Sequence, residues 1–257
     1  MTAIPTHHDA PNAAASADAV DAAVARELRE GQAVDSPLRH FQPSAPRVSV
    51  QQILRIQGYV DAGKVRPAIA RAAQEMAFLA QSRCAPRVAY RFRVIEAMDA
   101  EGLELRQGLR LRSAAFESRL VGCSEVVPFV LSCGEPLGQA VVDLAEAGDL
   151  MEAVLLESAG WLCVEDATRQ FKDALRQKVG TSGQRITSRM GPGYSYRLGS
   201  AEVDWPLENH PELFAALGDG ELPVRLMPSC AMFPKLSRSG LFGVAPALPA
   251  EHPFRPA

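Results

Sequence analysis

The chain has 257 residues, 47 % hydrophobic and 22 % charged, with a net charge of −3. That length holds one large domain or two small ones with a real core, and the mild acidity gives no reason to expect nucleic acid or an anionic membrane as a partner. No apolar run reaches the roughly 18–20 residues of a membrane span. The start carries acids and His7-His8 in place of a basic segment followed by an apolar block, so a secretory signal is not expected. The five cysteines (Cys84, Cys123, Cys133, Cys163, Cys230) form an odd, scattered set without C-x-x-C. They are expected to be reduced, buried small hydrophobes in a cytoplasmic protein, not a disulfide framework or zinc site.

Residues 1–46 are rich in Ala, Pro, Asp and Ser, with little bulky hydrophobe before Phe41. They read as a mostly disordered tail, with at most a lone helix over 18–30. A helix is expected over 49–56, opened by Ser49 with Gln52 at the capping-box position, and a longer one over 65–82. Residues 88–95 read as a strand, 103–111 as short strands and 113–120 as a short helix. The apolar run 126–131 suits a buried strand, although Pro128 places it near an edge or bulge. Helices dominate 136–178 with a break at Gly148-Asp149. Short strands follow around Ile186, over 224–227 and over 241–244, interrupted by a helix with Asn209 and Glu212 at its start and Gly218 at its end. Residues 246–257, with four prolines, read as an irregular C-terminal tail. The order lacks a βαβ rhythm and predicts one α+β domain over 47–245, a mixed or antiparallel sheet flanked by helices.

Two segments carry chemistry. The first is Arg189-Met190-Gly191-Pro192-Gly193-Tyr194. Its guanidinium can pair a carboxylate in two-pronged fashion, and its glycines allow close backbone approach. The second is Ser229-Cys230-Ala231-Met232-Phe233-Pro234-Lys235-Leu236-Ser237-Arg238-Ser239-Gly240. Read alone, Gly191 and Gly193 are plain turn residues, Ala231 to Pro234 a core strand ending at a proline, and Arg189 a surface arginine. There is no D-x-H-x-x-G, no G-x-G-x-x-G after a strand, no P-loop and no H-E-x-x-H.

The pair, in this order and separation, resembles the S-adenosylmethionine-binding activation domain of cobalamin-dependent methionine synthase, in which an R-x-x-x-G-Y turn precedes an A-M-x-P-x-x-S-x-S-G segment. Leu54-Arg55-Ile56-Gln57-Gly58-Tyr59 resembles the L-R-x-x-G-Y start of its small stand-alone relatives. Gly122 to Val127 with Ser132-Cys133-Gly134, Leu155 to Gly160 with Val164-Glu165, and Asp204-Trp205-Pro206-Leu207 match further segments. The likeness covers roughly 48–245.

The resemblance implies that Arg189, Gly191, Gly193, Tyr194, Glu165, Ala231, Met232, Pro234 and Phe242 bind S-adenosylmethionine. Arg189 would take its methionine carboxylate, Tyr194 would lie near the sulfonium, and Glu165 would neutralise the ammonium or sulfonium charge. Ala231, Met232 and Pro234 would wall the adenosine. Read alone, Glu165 is half of an exposed i,i+4 pair with Arg169, and Tyr194 packs under its turn. No catalytic side chain and no metal ligand is expected in this chain. The implied role is reductive reactivation, with cobalamin carried by a partner methionine synthase lacking its own activation domain and a flavodoxin-like reductant acting on that partner. Another corrinoid methyltransferase as client, or a non-catalytic S-adenosylmethionine sensor on the same fold, are the alternatives. Two features depart from the family pattern: residues 195–203 intervene before Asp204-Trp205-Pro206-Leu207, and Phe242 stands near a ligand-contacting tyrosine.

Overall fold

The computed structural model describes residues 35–247. The expected helix over 18–30, the tail up to residue 34 and the last ten residues lie outside the described part. An eight-stranded, wholly antiparallel sheet forms the frame. At its centre runs β6 (Glu125–Ser132). One edge of β6 pairs with β2 (Arg87–Tyr90) and then β3 (Arg93–Asp99); the other pairs along its whole length with β12 (Ser237–Pro246). Beyond β2 lies β1 (Arg39–Phe41). Beyond β3 lie β4 (Gly102–Leu105) and β5 (Leu109–Arg112), and β7 (Gln184–Ile186) pairs with the end of β12.

Alternation along β6 sorts two cores, because successive side chains in a strand point to opposite faces. Val127, Phe129 and Leu131 join Phe242 and Val244 of β12 in the larger core. That core is covered by α1 (Val50–Ile56), α2 (Pro67–Arg83), α4 (Glu135–Glu146) and the 31-residue α5 (Leu150–Gly180). On α2, Ala72, Ala73, Met76, Ala77 and Ala80 make the buried stripe; on α5 it is Leu156, Ala159, Cys163, Ala167, Phe171 and Leu175. Both repeat every three or four residues, as one face of a helix must. Phe129 stacks on Phe242 with ring centroids 5.4 Å apart, and Phe171 meets both rings. Val126 and Leu241 face the opposite way, onto a second core with Trp205, Phe116 of α3 (Phe116–Arg119) and Leu213 of α6 (His210–Leu217).

Five expectations on the elements and their bounds need correction. Pro128 sits mid-sheet, not at an edge. Its carbonyl accepts from the Arg91 N–H at 3.2 Å. A residue's N–H and C=O leave a strand on the same side, so the missing donor faces the break between β2 and β3, where no ladder bond is needed. The strand expected over 88–95 is split at that break. Neither Ser49 nor Asn209 makes a side-chain cap bond; Asn209 instead donates to the Arg112 carbonyl at 2.8 Å. The ordered domain also begins earlier than residue 47. Asp35 and Arg93 form a buried ion pair at 3.1 Å, Asp35 accepts the Val94 N–H, Phe41 packs against Phe171, and β1 adds an edge strand. One carboxylate and one aromatic anchor that stretch, despite its low apolar content. At the other end β12 continues through Pro246, one residue past the expected boundary.

Removing one partner of a buried ion pair strands the other charge without water. Asp35→Ala is therefore expected to cost about 3–5 kcal/mol, read as a lowered urea midpoint with an unchanged slope.

Candidate functional site

Strand β12 presents Arg238 and Phe242 toward α5, and Ser239 and Leu241 toward the second core. Across it lies the 189–194 turn. Met190 exchanges both backbone hydrogen bonds with Leu241, at 2.9 and 2.8 Å. Gly240 makes that approach possible: its φ is +153°, and a Cβ there would lie 2.3 Å from the Met190 carbonyl oxygen. The first segment is thus bridged to Leu241, the residue that follows the second segment, and Gly240 at the end of the second lets the two approach.

This docking fixes Arg189. Its Nη1 donates to the Ser239 carbonyl at 3.1 Å, and its Cζ lies 4.5 Å from the centroid of the Tyr194 ring. Among the described residues it makes no ion pair. Opposite stands α5. Glu165 accepts a 2.5 Å bond from Arg238, whose other nitrogen is 3.5 Å from the Thr168 hydroxyl. The Arg238 bond holds the Glu165 carboxyl below the usual carboxylate range, against partial burial. Between these walls opens a cleft of about 590 Å³ lined by Glu165, Thr168, Arg169 and Lys172 of α5, by Arg189 and Arg238, and by Phe242. Asp173 and Arg176 extend the lining, so five cations face two carboxylates.

The stretch 195–203 is a β-hairpin, β8 (Tyr194–Leu198) with β9 (Ala201–Trp205), two strands that the sequence reading left as an insertion. The Tyr196 hydroxyl accepts the Gly191 N–H at 2.7 Å and donates to the Gly191 carbonyl at 3.1 Å. Gly193, at φ +82°, donates to the Trp205 carbonyl at 2.7 Å. Trp205 is wholly buried against Phe116. The insertion therefore braces the Arg189 turn from behind.

Of the residues expected to bind, Arg189, Tyr194 and Glu165 converge here, with Gly191 and Gly193 shaping the turn. Phe242 presents no exposed surface to a ligand: it is 0 % exposed and belongs to the aromatic core under the cleft. Ala231, Met232 and Pro234 do not line this cleft. Met232 lies on β11 (Met232–Phe233), paired with β10 (Arg225–Leu226). Phe233 and Pro234 line a separate cleft of about 500 Å³, where Arg225 covers the Phe233 ring at 4.4 Å. The hydroxyls of Ser237 and Ser239 are engaged internally, with the Pro234 carbonyl at 2.6 Å and His210 Nε2 at 2.7 Å. The expected Glu165–Arg169 pair does not form; Arg169 pairs with Asp166. Sequence reasoning missed Arg238 as the Glu165 partner, Thr168 and Lys172 as lining, and His210 as the Ser239 anchor. Thr168 and Lys172 stand three and seven residues beyond Glu165, the helical spacing that places them on its face.

Among the described residues no helix is long and apolar enough to cross a membrane, and no three His, Cys, Asp or Glu side chains are placed to hold a metal ion. No protein-family model matches the chain, and no curated protein matches it in sequence. Among solved structures it is similar to one described as the MetH reactivation domain bound to AdoHcy. The TM-score is 0.56 and the identity 13 %, over 83 % of this chain and 80 % of that one. That likeness establishes the fold: a mixed α/β domain whose curled antiparallel sheet is flanked by helices.

Gly240→Ala must push Met190 away or twist β12. The expected loss is about 1–3 kcal/mol for the strained backbone, together with exposure of the Arg189 turn to limited proteolysis. A second expectation concerns pH. Burial pulls the His210 pKa below its ordinary value, although the nearby Cys230 and Leu207 carbonyls act the other way. Between the two pKa values the unfolded chain binds more protons, so stability rises with pH there. His210 should contribute fully above about pH 6.5 and progressively less as pH falls. The melting temperature should drop over that window, and His210→Gln should flatten the drop.

Proposed function

We propose that the chain binds S-adenosylmethionine in the cleft between α5 and β12 and presents its methyl group to reduced cobalamin carried by a partner protein. The observation that carries this reading is the contact between the two signature segments. The Met190–Leu241 bridge delivers Arg189, with no carboxylate partner among the described residues, to the mouth of a ligand-sized cleft. A guanidinium backed by a tyrosine ring and a carbonyl is oriented before the ligand arrives, which lowers the entropy cost of pairing a planar carboxylate. Tyr194 lies 46 % exposed beside that guanidinium. Glu165 bonds Arg238 through one oxygen and is largely exposed, so its second oxygen can serve the ligand's ammonium while Arg238 stays in place. The fully packed Phe242 supports the floor.

The cobalamin, held by the partner, would supply the nucleophile. This chain therefore needs no general base, in keeping with a cleft of orienting charges. Its task is to fix the donor where the acceptor can come within about 3–3.5 Å, and the cleft is open to the surface on which a partner would close. A methionine synthase lacking its own activation domain is the client the resemblance favours, with a flavodoxin-like reductant acting on that client. Other corrinoid methyltransferases fit the same geometry.

The charge of the cleft favours a second reading. With five cations against two carboxylates, it suits a ligand with a free carboxylate and no sulfonium charge. A sensor that prefers S-adenosylhomocysteine over S-adenosylmethionine would look the same.

Isothermal calorimetry separates these readings. Micromolar S-adenosylmethionine binding supports the methyl-delivery reading, a clear preference for S-adenosylhomocysteine the sensor, and no heat with either at millimolar ligand would end both. Arg189→Ala should weaken binding by about 1.5–3 kcal/mol, roughly 10- to 150-fold. Arg189→Lys should recover only part of it, because an ammonium cannot make the two-pronged pair.

A further inference from the structure

Three of the five cysteines, dispersed in sequence, meet in space. Cys84 ends α2, Cys133 follows β6, and Cys163 lies midway along α5. Cys133 and Cys163 are wholly buried in the larger core, and the half-buried Cys84 packs against it. The backbone brings the first two together: the Ala85 N–H donates to the Cys133 carbonyl at 2.9 Å. From the other side, the Cys133 N–H donates to the Leu236 carbonyl at 3.0 Å, and the Leu236 side chain fills the space left by Gly160, three residues before Cys163. Cys84 interacts side chain to side chain with both buried thiols.

We propose that this trio is an oxidation site, in which half-exposed Cys84 takes up oxidant and one of the two buried thiols closes an intramolecular disulfide with it. The division of labour follows from position. Cys84 alone among the three reaches solvent. The neighbouring thiols hold its pKa down, against burial and the charge of Asp166, while Cys84 and burial push Cys133 and Cys163 up. Cys84 is therefore the sulfur that an oxidant reaches first, and the thiolate is the form that reacts.

Hydrogen peroxide is a sufficient oxidant. The Cys84 thiolate attacks one peroxide oxygen and the O–O bond breaks, giving Cys84 sulfenic acid; the departing hydroxide takes a proton to become water. The neighbouring thiol sulfur then attacks the Cys84 sulfur. An S–S bond forms, the S–O bond breaks, and the oxygen leaves as a second water with the thiol proton. Two thiols lose two electrons and peroxide gains them. A dithiol reductant reverses the step.

The full chain, reduced and then exposed to hydrogen peroxide, should be alkylated and mapped by mass spectrometry without reduction. The expected result is a loss of two alkylatable thiols and one cross-linked peptide joining Cys84 to Cys133 or Cys163, both reversed by dithiothreitol. In Cys84→Ser the cross-link should vanish, and Cys133 and Cys163 should stay reduced and alkylate only after unfolding. Because a variant can also lose structure, its circular dichroism is compared with that of the parent. In the unaltered chain, limiting iodoacetamide should also label Cys84 faster than Cys123 or Cys230. A cross-link through Cys123 or Cys230, Cys84 stopping at sulfinic acid, a Cys84-linked dimer, five intact thiols, or Cys84 the slowest to alkylate would each overturn the proposal.

Discussion

The candidate site depends on a two-bond backbone bridge between Met190 and Leu241, and that bridge depends on residue 240 having no side chain. Two buried amide–carbonyl bonds are individually modest, about 0.5–1.5 kcal/mol each. Their importance is positional. They hold a loop that follows β7 against the middle of β12, and from that contact come the place of Arg189, its bond to the Ser239 carbonyl, and the separation between Arg189 and α5. The hairpin behind the turn reinforces the same geometry through Tyr196 and Trp205.

Electrostatics decide what such a cleft can hold. Glu165 and Arg238 neutralise each other across it, and Arg169 and Arg176 are drawn to Asp166 and Asp173. Lys172 and Arg189 are left as the cations without carboxylate partners among the described residues. A carboxylate-bearing ligand gains from both. A sulfonium gains less, because Arg238 already neutralises much of the Glu165 charge. For the ligand proposed above, the balance between these two gains would set the preference between methyl donor and demethylated product, and it belongs to the ionic arrangement of this chain, not to the fold.

The same region couples the buried core to the surface. Leu236 seats against Gly160, Arg238 reaches Glu165 one to two turns along α5, and Cys133 is bonded to the Leu236 main chain. A strand and a helix in such close register transmit small shifts, because packed interiors do not deform continuously. The cleft wall and the thiol trio are therefore parts of one packed layer.

Much of the architecture was written locally. The helical stripes of α2 and α5, the apolar run of β6, the break at Gly148 and the positive-φ end of α6 at Gly218 all follow from periodicity and backbone preference within a few residues. The two signature segments, too, were legible as motifs with Arg189 at their head. Their mutual contact was not, since it depends on which strand lies beside a turn some fifty residues away. Asp35 against Arg93, Glu165 against Arg238 instead of Arg169, and Phe242 turned into the core are decisions of the same kind. Each is a choice among several chemically adequate partners, made by packing. Ala231, Met232 and Pro234 show the limit most plainly, because a segment read as one unit is divided: Arg238 faces the cleft, while β11 pairs with β10 elsewhere. Spacing along a chain determines which side chains share a helix face or strand face; only the closing of the sheet, where non-local backbone bonds must all be satisfied at once, determines which faces meet.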